Sequence, residues 1–92
     1  MEVYSQIAVK IIKGQEAIIG PVAIEQAQRV NGMQIEWDKK EVIITGDPAD
    51  AIDDLIEKYK ELFGQISVEV SKEAVSSLVG HLPADGLPET LK

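Results

Sequence analysis

The sequence contains few residues that could carry out chemistry. It has one histidine, His81, and no cysteine, which excludes thiolate catalysis, disulfides and cysteine-ligated metals. A histidine that acts as a general base needs a nucleophile and an orienting carboxylate close by. Ser76 and Ser77 are near in sequence, but they fall in a predicted short helix, where serine is common. We therefore predict no catalytic residue, no metal site and no cofactor, and an enzyme is the least favoured of three interpretations.

Acidic side chains dominate the longest predicted helix. Asp53, Glu57 and Glu61 recur at every fourth position and so share one side of that helix. Such a stripe is usually a solvated face, and a patch for a basic partner or a divalent cation is the alternative. Sixteen acidic and nine basic residues give a formal charge of −7. Because nucleic-acid binding depends on neutralising phosphates, this charge argues against a nucleic-acid partner.

A glycine–proline pair marks the place where the sequence suggests a ligand. Pro21 suits the first position of a helix, where free N–H groups can hold a carboxylate or a phosphate. Gly20 would allow such an anion to approach the backbone closely. We therefore predict weak ligand binding at Ile18, Ile19, Gly20 and Pro21, with an ordinary helix start as the alternative.

Large apolar residues on the predicted strands suggest self-association. Trp37 is the only tryptophan, and it lies at the end of a predicted strand beside a charged turn. Aromatic residues are enriched as anchors of protein interfaces. The predicted strands form a sheet with helices on one face only, and its other face would be open to solvent. Tyr4 and Met33 would join Trp37 if a second copy covered that open face, so we predict these three residues as part of a homodimer interface.

Hydrophobic periodicity predicts the elements that would position these residues. The predicted segments are strand 3–12, helix 22–30, hairpin 33–37 and 41–45, helix 48–63, strand 65–70 and a short helix ending before Gly80. This order predicts a ferredoxin-like α+β fold, a βαββαβ sandwich whose four-stranded antiparallel sheet carries two helices on one face. We expect a single domain over residues 1–80 and a C-terminal tail over residues 81–92.

The helix that follows Pro48 has the clearest amphipathic pattern. Asp47 is a preferred N-cap residue, and proline is favoured at the first helical position. The apolar stripe of this helix consists of Ile52, Leu55, Ile56, Tyr59, Leu62 and Phe63. Since these positions follow the helical repeat, we expect the stripe to pack against the sheet.

Two families of small ferredoxin-like domains resemble parts of residues 31–70. Residues 31–36 (NGMQIE) and 41–47 (EVIITGD) resemble the middle of heavy-metal-associated domains. That resemblance would imply a CxxC copper site in the loop 17–21, but the loop reads AIIGP, so soft-metal binding is not carried over. Residues 46–48 (GDP) and 64–70 (GQISVEV) resemble the second half of ACT domains. This second resemblance implies a regulatory module that binds amino acids at paired interfaces.

The function expected from these observations is regulation or assembly without catalysis. No apolar run approaches the roughly 18 residues of a membrane span, so we expect a soluble cytoplasmic protein with no membrane or nucleic-acid partner. The leading interpretation is a self-associating module that also binds a small anionic ligand. An adaptor that presents its acidic helix to a basic partner is the alternative. Either a second copy or the C-terminal helix and tail would cover the open face of the sheet.

Overall fold

The computed structural model describes residues 2–92 and shows a mainly helical fold with one small hairpin. The elements are α1 (Val3–Ile19), α2 (Val22–Ala27), β1 (Met33–Glu36), β2 (Glu41–Ile44), α3 (Pro48–Phe63) and α4 (Gln65–Val75). Three short 3₁₀ turns follow, at Val79–His81, Ala84–Gly86 and Glu89–Leu91. The two strands pair antiparallel, with Met33 opposite Ile44 and Glu36 opposite Glu41. Over residues 2–92 they form the whole of the sheet.

The predicted ferredoxin-like sandwich is wrong, because two of its four strands are helical. Residues 3–12 belong to α1, and residues 65–70 form the first part of α4. The hairpin, the helix after Pro21 and the helix after Asp47 are confirmed. A two-stranded sheet has no broad open face, so the argument for self-association that depended on that face no longer applies.

Helix α1 is the central element of the fold. It contacts α2, α3, α4 and β2, so neighbours surround most of its circumference. The apolar residues of its first half are buried whichever way they point: Ile7, Ala8, Val9, Ile11 and Ile12. A helix with so wide an apolar face packs against several neighbours at once. The partial alternation that predicted a strand here is also compatible with such a helix.

Helix α4 places serines on its buried face. Ser67, Val68, Ser71 and Val75 are buried and recur at helical spacing. The Ser71 hydroxyl donates a hydrogen bond to the Ser67 carbonyl at 2.8 Å, which satisfies both groups without solvent. Because serine is not apolar, the hydrophobic pattern of the sequence does not reveal this buried face. The alternating Ile66, Val68 and Val70 suggested a strand instead.

Helix α3 begins as predicted but extends beyond the core. The Asp47 carboxylate accepts hydrogen bonds from the N–H groups of Ala49 and Asp50 at 2.9 and 3.2 Å. The first part of the apolar stripe is fully buried, at Ile52, Leu55, Ile56 and Tyr59. Leu62 and Phe63 remain 52% and 37% exposed. The stripe therefore packs on α1, α2 and α4 over most of its length and faces solvent at its end.

The C-terminal segment is attached to the helices by side-chain hydrogen bonds. The Asp53 carboxylate accepts from the N–H groups of Glu89 and Thr90 at 3.1 and 2.9 Å, and from the Thr90 hydroxyl at 2.6 Å. The Tyr4 hydroxyl donates to the Gly86 carbonyl at 2.9 Å. Leu91 is buried among the core residues. These contacts hold the segment against α3 and the start of α1.

Candidate functional site

An exposed apolar patch lies where α1 and α3 end and α4 begins. We define the apolar patch as Ile18, Leu62, Phe63 and Ile66, and Ile18 and Ile66 are 63% and 65% exposed. Gly64 places these residues together: its φ of 75° ends α3 and lets α4 start immediately. A side chain at this φ would be strained, so a glycine is required for the tight connection.

A small apolar cavity opens beside this patch. Its volume is about 190 Å³, and its lining includes Ile18, Phe63, Ile66 and Val70. Gln15 is buried beneath it, and its side-chain amide donates to the Ser67 carbonyl at 3.0 Å and to the Ser71 hydroxyl at 3.2 Å. The polar groups at the base of the cavity are therefore satisfied, and the cavity offers an apolar ligand surface only.

The residues predicted to bind a ligand lie at the end of α1. Ile18 and Ile19 line the apolar cavity, while Gly20 and Pro21 form the turn to α2. The Gly20 carbonyl accepts from the N–H of Ala23 at 3.0 Å. Glu25 adds a negative charge to the first turn of α2. Anion binding at this turn stays a prediction.

The three predicted interface residues lie apart from the apolar patch. Met33 is buried in the core, and Tyr4 is partly buried through its bond to Gly86. The Trp37 indole N–H donates to the Glu16 carboxylate at 3.2 Å, and the Lys40 ammonium lies 4.5 Å from the centre of the indole ring. Their part in an interface stays a prediction.

A larger groove follows β2 at the opposite end of α1. Its volume is about 880 Å³. The lining comes from the start of α1, β2 and the turns on either side of that strand: Glu2, Tyr4, Ser5, Lys39, Lys40, Glu41, Val42, Ile43, Ile44, Gly46 and Pro48. Since the lining includes every residue of β2, the groove runs along the strand rather than over one end of it.

The acidic stripe and the histidine show no catalytic arrangement. Asp53 is bound to the C-terminal segment, and Glu57 and Glu61 are exposed. His81 is exposed in a 3₁₀ turn. Among residues 2–92 no group of three histidine or carboxylate side chains could hold a metal ion. None of the helices described in residues 2–92 is long and apolar enough to cross a membrane.

Among the titratable groups of residues 2–92, the buried Tyr59 phenol is the one whose pKa is clearly shifted. Its hydroxyl donates to the Ala23 carbonyl at 2.6 Å, which joins α3 to α2. Burial, with a smaller contribution from the Glu16 carboxylate, raises the pKa of Tyr59 far above its usual range. The phenol is therefore a neutral structural donor at ordinary pH.

Comparisons of the chain with protein-family models, curated proteins and solved structures give no match. The resemblance to heavy-metal-associated and ACT domains is thus unsupported, and the two-stranded sheet contradicts the fold that it implied. The apolar patch was missed from sequence because Leu62 and Phe63 continue the core stripe of α3. The sequence does carry a signal for it, since the apolar stripe extends one turn past Tyr59 and Ile66 stands two residues after Gly64.

Proposed function

We propose that this protein is a self-associating module whose homodimer forms through the apolar patch. The observation that carries the proposal is the exposure of Ile18, Phe63 and Ile66 around one apolar cavity, with Leu62 exposed next to Phe63 in α3. Leaving these side chains in water costs free energy that a second copy would recover. The role is assembly, without catalysis, as expected from the residue types.

The extent of the patch fits a dimer of small subunits. If a fully accessible large side chain offers about 200 Å², the exposed fractions of the four patch residues together correspond to roughly 400 Å² of accessible surface. A standard interface buries about 800 Å² on each partner, of which somewhat more than half is apolar. The patch therefore supplies most of the apolar area that one side of such an interface needs.

The shape of the patch supports a second copy as the occupant. Ile66 projects from the surface directly beside a cavity large enough to receive one aliphatic side chain. In a two-fold dimer each subunit presents the same surface, so each projection meets the partner's cavity. A protrusion next to a depression is self-complementary in this sense.

The test is the mass of the protein in solution, measured by sedimentation over concentrations from about 1 µM to about 1 mM. We expect a monomer–dimer equilibrium in that range. Replacing Ile66 with aspartate should leave the protein folded and monomeric, because a charge cannot be buried unpaired at the interface. Ile43→Asp is the matched control, since Ile43 is also exposed but lies on β2, and it should dimerise like the parent.

Salt separates this proposal from the adaptor alternative. Because each subunit carries −7, the two copies repel, and added salt should strengthen dimerisation by screening. An acidic helix that binds a basic partner would instead bind more weakly in salt. A parent protein that stays monomeric at about 1 mM in high salt would refute the dimer.

A further inference from the structure

The last residues of the chain are held on the helices in the way that a bound peptide is held. The final 3₁₀ turn contacts both α3 and α4. Pro88 is fully buried, and Leu91 is 9% exposed. The Asp53 carboxylate accepts from the N–H groups of Glu89 and Thr90 at 3.1 and 2.9 Å, and from the Thr90 hydroxyl at 2.6 Å. Two apolar anchors and one carboxylate therefore hold residues 88–91, which we call the docked segment.

The residues that lead to the docked segment are held by fewer contacts. No residue from 76 to 87 is buried, and Leu82 and Leu87 are only half-buried. A methyl group at Gly80 would have no neighbour within 4 Å. The hydrogen bond from the Tyr4 hydroxyl to the Gly86 carbonyl is partly buried. Because segments with few buried contacts open at a low free energy, the docked segment resembles a ligand on a tether.

The contacts of the docked segment define what the surface of α3 and α4 recognises. Pro88 and Leu91 are three residues apart, so they lie on one side of a 3₁₀ turn. The turn makes its own hydrogen bond, from the Leu91 N–H to the Pro88 carbonyl at 3.0 Å. The Glu89 and Lys92 side chains are exposed and pair with each other at 2.8 Å. The surface therefore recognises a proline, any residue, a threonine and a leucine in that order.

We propose that the surface of α3 and α4 beneath residues 88–91 is a recognition site for partner-protein segments with this pattern. The chain's own docked segment is then an autoinhibitory occupant of the site. A partner segment makes the same hydrogen bonds to Asp53 once the tethered one has left. Since a short tether gives an effective concentration on the order of 1 mM, the docked segment is a strong competitor.

Charge indicates which residue a partner carries at the variable position of the pattern. Asp50 and Glu57 lie one turn on either side of Asp53, Asp54 adjoins it, and all three are exposed. Glu89 of the docked segment adds a further negative charge, because its N–H is bonded to Asp53. A lysine or arginine at this position gains attraction where Glu89 experiences repulsion. We therefore expect the partner segment to be basic there.

The docked segment of a second copy is a poorer occupant than a partner segment. Two chains that exchanged their segments would make the same contacts as before and no new ones at this site. Association would still cost translational and rotational freedom. The two copies also repel, because each carries a formal charge of −7. A basic partner segment replaces that repulsion with attraction.

The experiment weakens the docked segment in the full chain and supplies the same residues as a free peptide. Leu91→Ala removes one apolar anchor of the segment and leaves α3 and α4 unchanged. The probe is an acetylated peptide of residues 86–92, GLPETLK, titrated by calorimetry and NMR. It should bind Leu91→Ala about tenfold more tightly than the parent and return the amide signals around Asp53 to their parent positions. No binding to Leu91→Ala at up to about 1 mM peptide would overturn the proposal.

Asp53 provides the matched test on the receiving surface. In the Leu91→Ala protein, Asp53→Ala should weaken peptide binding about tenfold or more, because the peptide loses its hydrogen bonds to a carboxylate. Asp54→Ala is the control, since this exposed neighbour has no bond to the segment in the described chain, and it should not weaken binding. Equal binding by the two variants would overturn the proposed site.

A second peptide tests the charge preference. GLPKTLK, with lysine in place of the glutamate, should bind Leu91→Ala about twofold to fivefold more tightly than GLPETLK. Added salt should reduce this difference by screening. Equal binding of the two peptides at low salt would overturn the preference for a basic partner.

Two further variants keep the proposal separate from folding and from the proposed dimer. Thr90→Val removes one hydroxyl bond and keeps the apolar anchors, so it tests the same competition if Leu91→Ala unfolds. Ile66→Asp, which abolishes the proposed dimer, should not alter peptide binding, so the two proposals fail independently. An Ile66→Asp protein that stays dimeric and becomes monomeric on adding Leu91→Ala would show that copies exchange their segments, and would overturn the partner assignment.

Discussion

Single buried polar residues connect the helices of this protein. Tyr59 joins α3 to α2 through the Ala23 carbonyl, and Gln15 joins α1 to α4 through Ser67 and Ser71. Each of these groups has its partner inside the protein, so it fixes how neighbouring helices are oriented without an unsatisfied donor. Specific packing here depends on a few polar contacts as well as on apolar area.

We predict that Tyr59→Phe lowers the free energy of unfolding by about 1–2 kcal/mol, because it removes a buried hydrogen bond. Tyr4→Phe is the control: its bond to Gly86 is only partly buried, so water can replace it and the loss should be smaller. Urea unfolding monitored by circular dichroism measures both. Equal losses in the two variants would contradict a special role for burial at Tyr59.

The raised pKa of Tyr59 also predicts a pH dependence. The folded state keeps the phenol protonated, whereas the unfolded state releases the proton above about pH 10. The contribution of Tyr59 to stability is therefore complete below pH 10 and is lost as pH rises towards its folded-state pKa. Urea unfolding of the parent and of Tyr59→Phe between pH 8 and about pH 11 should show the steeper decline in the parent. An equal decline of the free energy of unfolding with pH in the parent and in Tyr59→Phe would contradict the raised pKa of Tyr59.

At the scale of elements, the crossing of α1 and α4 depends on a small residue. A methyl group at Gly14 would lie 3.5 Å from the Ala74 methyl and 3.5 Å from a Val70 methyl. Both are ordinary contact distances, so the crossing can accept alanine. The sequence placed a turn at Gly14, whereas the structure places it within a continuous helix. Substitution at this position therefore distinguishes the helix from the predicted strand and turn.

Gly14→Ala should raise the free energy of unfolding by about 0.5–1 kcal/mol, since glycine is a poor residue inside a helix. Gly64→Ala is the contrasting variant. With φ at 75°, an alanine there should cost about 1–3 kcal/mol. Thermal unfolding by calorimetry measures both changes. Destabilisation by Gly14→Ala as large as that by Gly64→Ala would indicate a turn at Gly14.

At the scale of the whole molecule, the groove beside β2 and the apolar patch lie at opposite ends of α1. Ser5 borders the groove and Ile18 borders the cavity of the apolar patch, about 20 Å apart along the helix. The C-terminal segment packs on the first half of α3, where Asp53 and Thr90 meet.

We predict that Asp53→Ala releases the C-terminal segment and lowers the free energy of unfolding by about 1–2 kcal/mol, as for loss of a helix cap. Limited proteolysis should then cleave within residues 83–92 faster than in the parent. Asp54→Ala is the matched control, because this neighbouring carboxylate is exposed and has no bond to the segment in the described chain. Equal cleavage of the two variants would mean that Asp53 does not hold the segment.

The sequence by itself determined the elements whose signals are local. The Asp47 cap, the proline at the start of α3 and the hairpin over residues 33–44 were all predictable, because capping and turn chemistry act within a few residues. The absence of cysteine likewise excluded thiolate catalysis, disulfides and cysteine-ligated metals. Of the apolar patch, Ile18 was singled out from sequence, but as part of a ligand site.

Only the tertiary structure decided that residues 3–12 and 65–70 are helical, and this determined the fold. In α1 the apolar residues satisfy both a strand and a helix repeat, and the helix prevails because its wide apolar face is buried against α2, α3, α4 and β2. In α4 the buried face includes two serines, and the Ser71 hydroxyl donates to the Ser67 carbonyl and accepts from the Gln15 amide. Leu62 and Phe63 follow the core repeat of α3, and they are exposed because the helices that bury the earlier part of the stripe do not cover its end.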